Sequence, residues 1–230
     1  MGSAAHGAAR PAAPIGEVAR TLAVEFPAAT TALDHRSAFE LVVATALSAQ
    51  TTDERVNEAT AGLFARWPDP ASLAAAPAAE VEAVIRPVGL APTKSRRVIA
   101  LAGDLLGRFD GDVPRTQAEL ETLPGVGRKT ALVVRGVWFG DDALAVDTHV
   151  ARLARRLGWT SATDPVRVED DVVARADAAR EEDPGALPGG LTALSLRLIL
   201  HGRATCRARR AACERCALAE VCPSAGEEAA

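Results

Sequence analysis

Where apolar residues recur in a pattern along this chain, they recur every three or four residues. Ile15, Val18, Leu22 and Phe26 form one such stripe, Phe39, Val43, Ala46 and Leu47 a second, and Val98, Leu101 and Leu105 a third. That spacing puts each set on one face of an α-helix, and no segment shows the strict alternation of a half-buried strand. Such a chain buries its apolar faces helix against helix, so the expected fold class is all-α. At 230 residues it is long enough for one large or two small domains with a real core. Tyrosine is absent and the 48% apolar share is largely Ala, so that core must be close-packed Leu, Val, Ile and Ala.

Residues between the stripes set the helix boundaries. Ser37 with Glu40, and Thr116 with Glu119, have the spacing of capping boxes. Asp53 and Thr93 are candidate N-caps, and Pro27 and Trp67-Pro68 are stops. Further helices are expected near 78–86, 128–138, 148–157, 166–180 and 190–201, with a loop at the Pro/Gly cluster of 184–190. The opening MGSAAHGAARPAAP lacks the continuous apolar segment of a signal peptide and reads as a disordered arm over 1–14. No apolar run is long enough to cross a bilayer.

Residues 123–131, Leu-Pro-Gly-Val-Gly-Arg-Lys-Thr-Ala, read as a tight hairpin running into a helix. Gly125 and Gly127 can take positive φ and let a ligand approach the backbone around Val126. The helix behind them offers free N–H groups and the positive end of its dipole, a seat for one phosphate beside Arg128. Lys129 falls in the first turn. Of 26 basic residues only Lys94 and Lys129 are lysines; the rest are arginines. A lysine against that background suits a task closed to a guanidinium. An amine can lose its proton and attack carbon, whereas Arg stays protonated. A plain phosphate contact is the alternative. Pro87-Val88-Gly89-Leu90, followed by Lys94, faintly echoes the hairpin: both are turns that deliver a lysine to a helix. Further on, Ala-Val-Asp-Thr-His-Val at 145–150 puts Asp147 where a helix N-cap is expected.

The net charge of −4 argues weakly against a nucleic-acid partner, but phosphate binding follows the local field. Residues 196–216 carry Arg197, Arg203, Arg207, Arg209, Arg210 and Arg215 against Glu214 alone, while carboxylates dominate 164–183. The same basic segment holds all four cysteines, Cys206, Cys213, Cys216 and Cys222, spaced C-x6-C-x2-C-x5-C. Without a secretory signal, disulfides are not expected, and four crowded thiols suggest a metal site. Zinc and a [4Fe–4S] cluster both accept four Cys. Structural zinc usually shows two short pairs and this array has one, which favours the cluster. Arg207, Arg209 and Arg210 would then sit on a loop stiffened by metal and aimed at a phosphate backbone.

Taken in order, LSAQTTD at 47–53, PVGL at 87–90, LPGVGRKTA at 123–131, VDTHV at 146–150, LILHGR at 198–203 and the cysteine array form a specific set. They resemble the endonuclease III family of DNA glycosylase/AP lyases, iron–sulfur members of the helix-hairpin-helix superfamily. The resemblance spans about residues 30 to 223. It implies an all-α, two-domain helix-hairpin-helix glycosylase fold with DNA held across a cleft. One domain would be a six-helix bundle over 31–141. Residues 15–30 and 142–230 would form a helical domain ending in a [4Fe–4S] loop.

By the same resemblance Lys129 matches the catalytic lysine, Asp147 the catalytic aspartate, and the four cysteines the cluster ligands. Gln50 and Leu90 match residues that fill or wedge the duplex where a nucleotide has been flipped out. For Leu90 alone, a place in the core is the plainer alternative. Lys94, Gly125, Val126, Gly127, Arg128, Thr148, His149, Arg207, Arg209 and Arg210 are expected DNA contacts. The implied activity is excision of oxidised pyrimidines in base excision repair, with β-elimination 3′ to the abasic site through a lysine imine. The implied partner is double-stranded DNA carrying damaged pyrimidines or abasic sites. The protein would be a monomer with no membrane attachment, cytoplasmic in a bacterium and associated with the nucleoid.

The chain departs from the family pattern at Ala91, where an aromatic is common, and at Leu132, where Asn is common. The stretch before LILHGR also looks about ten residues longer than usual. These differences bear on substrate range more than on reaction type. The nearest rival, the adenine-mismatch glycosylase, shares the cluster but lacks the lysine and normally has a large further C-terminal domain. Lys129 and the chain's end at Ala230 argue against it. A non-catalytic DNA-binding module would need the hairpin and the basic loop but neither Lys129 nor Asp147.

Overall fold

A computed structural model describes residues 11–226 of the chain. Helix α1 (Ile15–Glu25) starts after Pro14 and stops at Phe26, ahead of Pro27. Helix α2 (Ala38–Leu47) is capped by Ser37, whose Oγ accepts from the Glu40 N–H at 3.1 Å. The Glu40 carboxylate accepts from the Arg36 N–H at 2.6 Å instead of from Ser37, so the expected box is displaced by one residue. Helix α3 (Asp53–Arg66) takes Thr52 as its N-cap, with Asp53 already helical. Helices α4 (Pro70–Ala74) and α5 (Ala78–Val84) lead to a 3₁₀ turn at Arg86–Val88.

Helix α6 (Ala91–Phe109) begins from Leu90 and not from Thr93, because a left-handed Leu90 at φ 51° turns the chain into the helix early. Helix α7 (Gln117–Glu121) is capped by Thr116, which accepts from the Glu119 N–H and donates to its carboxylate at 2.6 Å. Helices α8 (Arg128–Val137), α9 (Thr148–Arg156), α10 (Pro165–Glu182) and α11 (Gly190–Ala204) complete the set. The described residues contain no strand.

The chain divides into two compact units. Thr30–Ala143 holds α2 to α8, one helix more than the six expected for this region. The extra one is α4, too short to show an apolar period. Its signal is local: Asp69 and Ser72 cap each other across Pro70. Helix α6 packs on α4 and α5, and α2 packs on α8 and α3. Leu41, Leu47, Leu63, Leu73, Ile85, Leu101, Leu105 and Leu120 are fully buried there. Truncating any of these leucines to Ala should cost about 2–5 kcal/mol.

The second unit joins the described residues of Met1–Ala29 and Leu144–Ala230. Helix α1 packs on α10 and α11, and α9 on α11, around Val18, Leu22, Val150, Leu153, Val172, Leu194 and Leu198. Of the arm expected over 1–14, residues 1–10 lie outside the described residues. Residues 11–14 have no regular structure, yet they are not loose. Ala13 is buried, its N–H donates to the Leu157 carbonyl at 2.9 Å, and its carbonyl accepts from the buried Trp159 Nε1 at 2.8 Å. The loop at 183–189 is likewise pinned by buried Ala186 and Leu187. Where α11 meets α9 only glycine fits: a Cβ on Gly202 would lie 2.9 Å from His149 Nδ1. No helix among the described residues is long and apolar enough to cross a membrane.

Candidate functional site

In the Thr30–Ala143 unit, Gly125 takes the left-handed conformation at φ 83° and closes the hairpin, where the Val126 N–H donates to the Leu123 carbonyl at 3.0 Å. Val126 is buried in the core, so its side chain and its N–H are both committed internally. It anchors the hairpin from inside the core. Gly127 is extended at φ −105° and serves as the N-cap of α8, so only the first of the two glycines uses positive φ. No side chain caps α8, which leaves its N-terminus open to an anion. Gly125, Gly127, Arg128 and Lys129 are exposed around that end.

Gln50 and Leu90 stand on two turns of the same unit. Among the described residues three non-glycines have positive φ: Gln50 at 59°, Leu90 at 51° and Asp110 at 54°. A left-handed L-residue costs roughly 1–2 kcal/mol, so two of the three strained positions fall on the two residues expected to enter DNA. Gln50 is exposed, and Leu90 is 62% exposed. The core alternative for Leu90 is therefore ruled out.

Lys94 is not a DNA contact. It is 5% exposed, and its Nζ donates to the carbonyls of Leu47 at 2.9 Å, Ala49 at 2.8 Å and Val88 at 3.0 Å. All three ammonium donors are spent inside the protein, and burial pushes its pKa below the usual lysine range. Helix periodicity could have flagged this, since Lys94 lies one turn before the core residue Val98.

In the other unit Asp147 caps α9. Its Oδ1 accepts from the N–H groups of His149 and Val150, both at 2.8 Å, and its Oδ2 makes no hydrogen bond among the described residues. Thr148 beside it is exposed and His149 half-buried. Burial pushes the His149 pKa down, which leaves Nδ1 free to accept from Arg152 Nη2 at 3.1 Å. Two arginines that sequence reasoning passed over hold the cysteine segment. Arg152 donates to the carbonyls of Gly202 at 3.0 Å and Cys206 at 2.9 Å. Arg156 donates to Cys206 Sγ at 3.2 Å and to the carbonyls of Arg207 and Ala208 at 2.8 and 2.9 Å. Their signal was their i, i+4 spacing on one face of α9.

All four cysteines line one cavity of about 680 Å³, together with Arg209 and Arg210. Burial, then the neighbouring thiols, push the Cys216 and Cys222 thiols above the usual cysteine pKa. Among the described residues no three His, Cys, Asp or Glu side chains converge on a point fit for one metal ion. Four cysteine thiols are a donor set that zinc and a [4Fe–4S] cluster both accept. His201, fully buried, lines the same cavity with Nε2 3.5 Å from Cys216 Sγ, and its Nδ1 donates to the Glu25 carboxylate at 3.0 Å. Arg207, Arg209 and Arg210 are all exposed.

Comparison with known proteins gives consistent findings. The profile of the HhH-GPD superfamily of base excision DNA repair proteins matches residues 43–175. Endonuclease III of Synechocystis sp. is 44% identical over 201 residues, 87% of each chain. A solved structure described as a non-covalent endonuclease III–DNA complex is similar with a TM-score of 0.80 at 38% identity, covering 90% of this chain and 93% of that one. Another, described as a trapped endonuclease III–DNA covalent intermediate in an estranged-adenine complex, has a TM-score of 0.78 at 38% identity, covering 91% and 92%.

Proposed function

The chain belongs to the HhH-GPD superfamily of base excision DNA repair proteins, and on that premise we propose that Lys129 is the nucleophile with which it excises oxidised pyrimidines and cuts the strand. It is a base excision repair DNA glycosylase and AP lyase, and DNA is its partner. The observation that carries the assignment is the contrast between its two lysines. Lys94 is walled in with its ammonium on three carbonyls, whereas Lys129 is exposed in the first turn of an uncapped helix. Nicking of a duplex that carries thymine glycol tests the reading. Binding without cleavage would reduce the protein to a DNA-binding module.

The reaction follows from the residue types. The damaged base leaves as Lys129 Nζ bonds to C1′ of the sugar. The ring opens to an imine, and loss of a C2′ proton expels the 3′ phosphate. The Asp147 carboxylate, held at the N-terminus of α9 by the His149 and Val150 N–H groups, stabilises positive charge developing on the sugar. Cys206, Cys213, Cys216 and Cys222, which line one cavity, would hold a [4Fe–4S] cluster whose part would be structural, since no step requires an electron. The protein works as a monomer on duplex DNA in the bacterial cytoplasm, at the nucleoid.

Gln50 and Leu90 occupy the space of the extruded nucleotide. Gln50→Ala and Leu90→Ala slow base release from a paired duplex more than cleavage at a preformed abasic site, which costs less to open. Equal losses on both substrates would point to a folding defect. Arg207, Arg209 and Arg210 contact phosphates. Each Arg→Ala change weakens binding to damaged and undamaged duplexes by similar factors and lowers the salt slope by about one per contact. A triple variant with the wild-type slope would show that this loop faces away from DNA.

A further inference from the structure

We propose that Lys94 is the positioning residue of the two turns that enter DNA: its buried ammonium ties the Gln50 turn and the Leu90 turn to one point. The tie is direct. Ala49, whose carbonyl accepts from Nζ at 2.8 Å, precedes Gln50, and Leu47, at 2.9 Å, ends α2 just before that turn. Val88, at 3.0 Å, closes the 3₁₀ turn two residues before Leu90. Gln50 and Leu90 are both left-handed, a conformation neither would keep unsupported, and both are exposed. A residue that must push into a stacked duplex needs a backbone that does not recoil. One cation bonded to both turns supplies that stiffness and sets the distance between them.

The chemistry also explains why this position is lysine in an arginine-rich chain. An ammonium has three donors arranged around a point and can satisfy three carbonyls converging from different directions. A guanidinium is a planar fork suited to flat, bidentate partners, and here it would leave at least one carbonyl unmet. A buried charge also loses hydration, so it persists only where every donor is bonded. Lys94 meets that condition, and the carbonyls it uses belong to the two turns in question.

The inference rests on the reading of Gln50 and Leu90 as insertion residues, and the test separates the two. The measured quantity is the rate of base release from a fully paired lesion duplex divided by the rate of cleavage at a preformed abasic site. Both rates are taken on one preparation, so the folded fraction cancels. Lys94→Met lowers this ratio roughly tenfold to a hundredfold, the scale of a small misplacement far from the reacting atoms. Combined with Gln50→Ala and Leu90→Ala, it lowers the ratio no further than that pair does alone. If Lys94→Met does not fold, Lys94→Gln, which keeps two donors without the charge, is measured in its place.

An unchanged ratio, with both rates falling together, would overturn the proposal and leave Lys94 as a stabilising residue only. An undiminished further loss in the triple variant would overturn it too, by showing that Lys94 acts elsewhere. If the Gln50→Ala and Leu90→Ala pair itself leaves the ratio at the wild-type value, the insertion reading fails first and this proposal falls with it.

Discussion

Lys129→Arg abolishes covalent trapping of the protein on DNA by borohydride, and Lys129→Gln does the same. The expected loss is roughly three orders of magnitude or more, the scale seen when a nucleophile is removed. Arginine keeps the charge and the contact to phosphate but cannot form an imine. The test separates nucleophile from phosphate contact, the two readings that the hairpin alone leaves open. Lys129 is exposed, so both variants should keep the fold, the iron content and DNA binding near wild type. Asp147→Asn reduces base release yet leaves some trapping at abasic sites, where no glycosidic bond remains to break. Normal cleavage and trapping by Lys129→Arg would end the lysine-imine mechanism. The other lysine would be a poor substitute, since its ammonium is enclosed and fully bonded.

If the four cysteines hold a [4Fe–4S] cluster, protein prepared without oxygen should be yellow-brown and contain iron and acid-labile sulfide in near-equal amounts. Stoichiometric zinc without iron would refute the cluster. Stripping the metal should free the segment from Cys206 to Cys222, because no helix of more than one 3₁₀ turn spans it. Within the segment, Leu218 is buried and Arg152 and Arg156 hold the carbonyls of Cys206, Arg207 and Ala208. The expected readouts are rapid proteolysis within that segment and a fall in the DNA-binding salt slope to that of the Arg207, Arg209 and Arg210 triple variant. A stripped protein with the native slope would show that the arginines need no metal to be aimed.

Much of this was visible in single residues. Pro27 ended α1, Ser37 and Thr116 capped the helices assigned to them, and Asp147 stood ahead of α9, because these effects act over one turn of chain. The failures have the same physical root. Helix α4 has no apolar period, and only the capping pair of Asp69 and Ser72 marks it in the sequence. The start of α6 moved because Leu90 adopts a backbone conformation that no local preference of leucine would choose. Ala13 belongs to the arm by composition, but its partners, Leu157 and Trp159, are remote in sequence.

By itself the sequence determined the helical class, the chemistry available and the order of the motifs. Periodicity, capping chemistry and cysteine spacing are properties of neighbours along the chain. Two lysines among arginines were enough to ask why an amine was kept twice. Only the tertiary structure shows how differently the two are placed. The two turns echo each other in sequence, each bringing a lysine to a helix start, yet one lysine points into the core and the other out to solvent. Which way each faces depends on where α2 and the 3₁₀ turn bring the carbonyls of Leu47, Ala49 and Val88 together. Those carbonyls are up to 47 residues from Lys94, and only packing makes them a binding site for its charge.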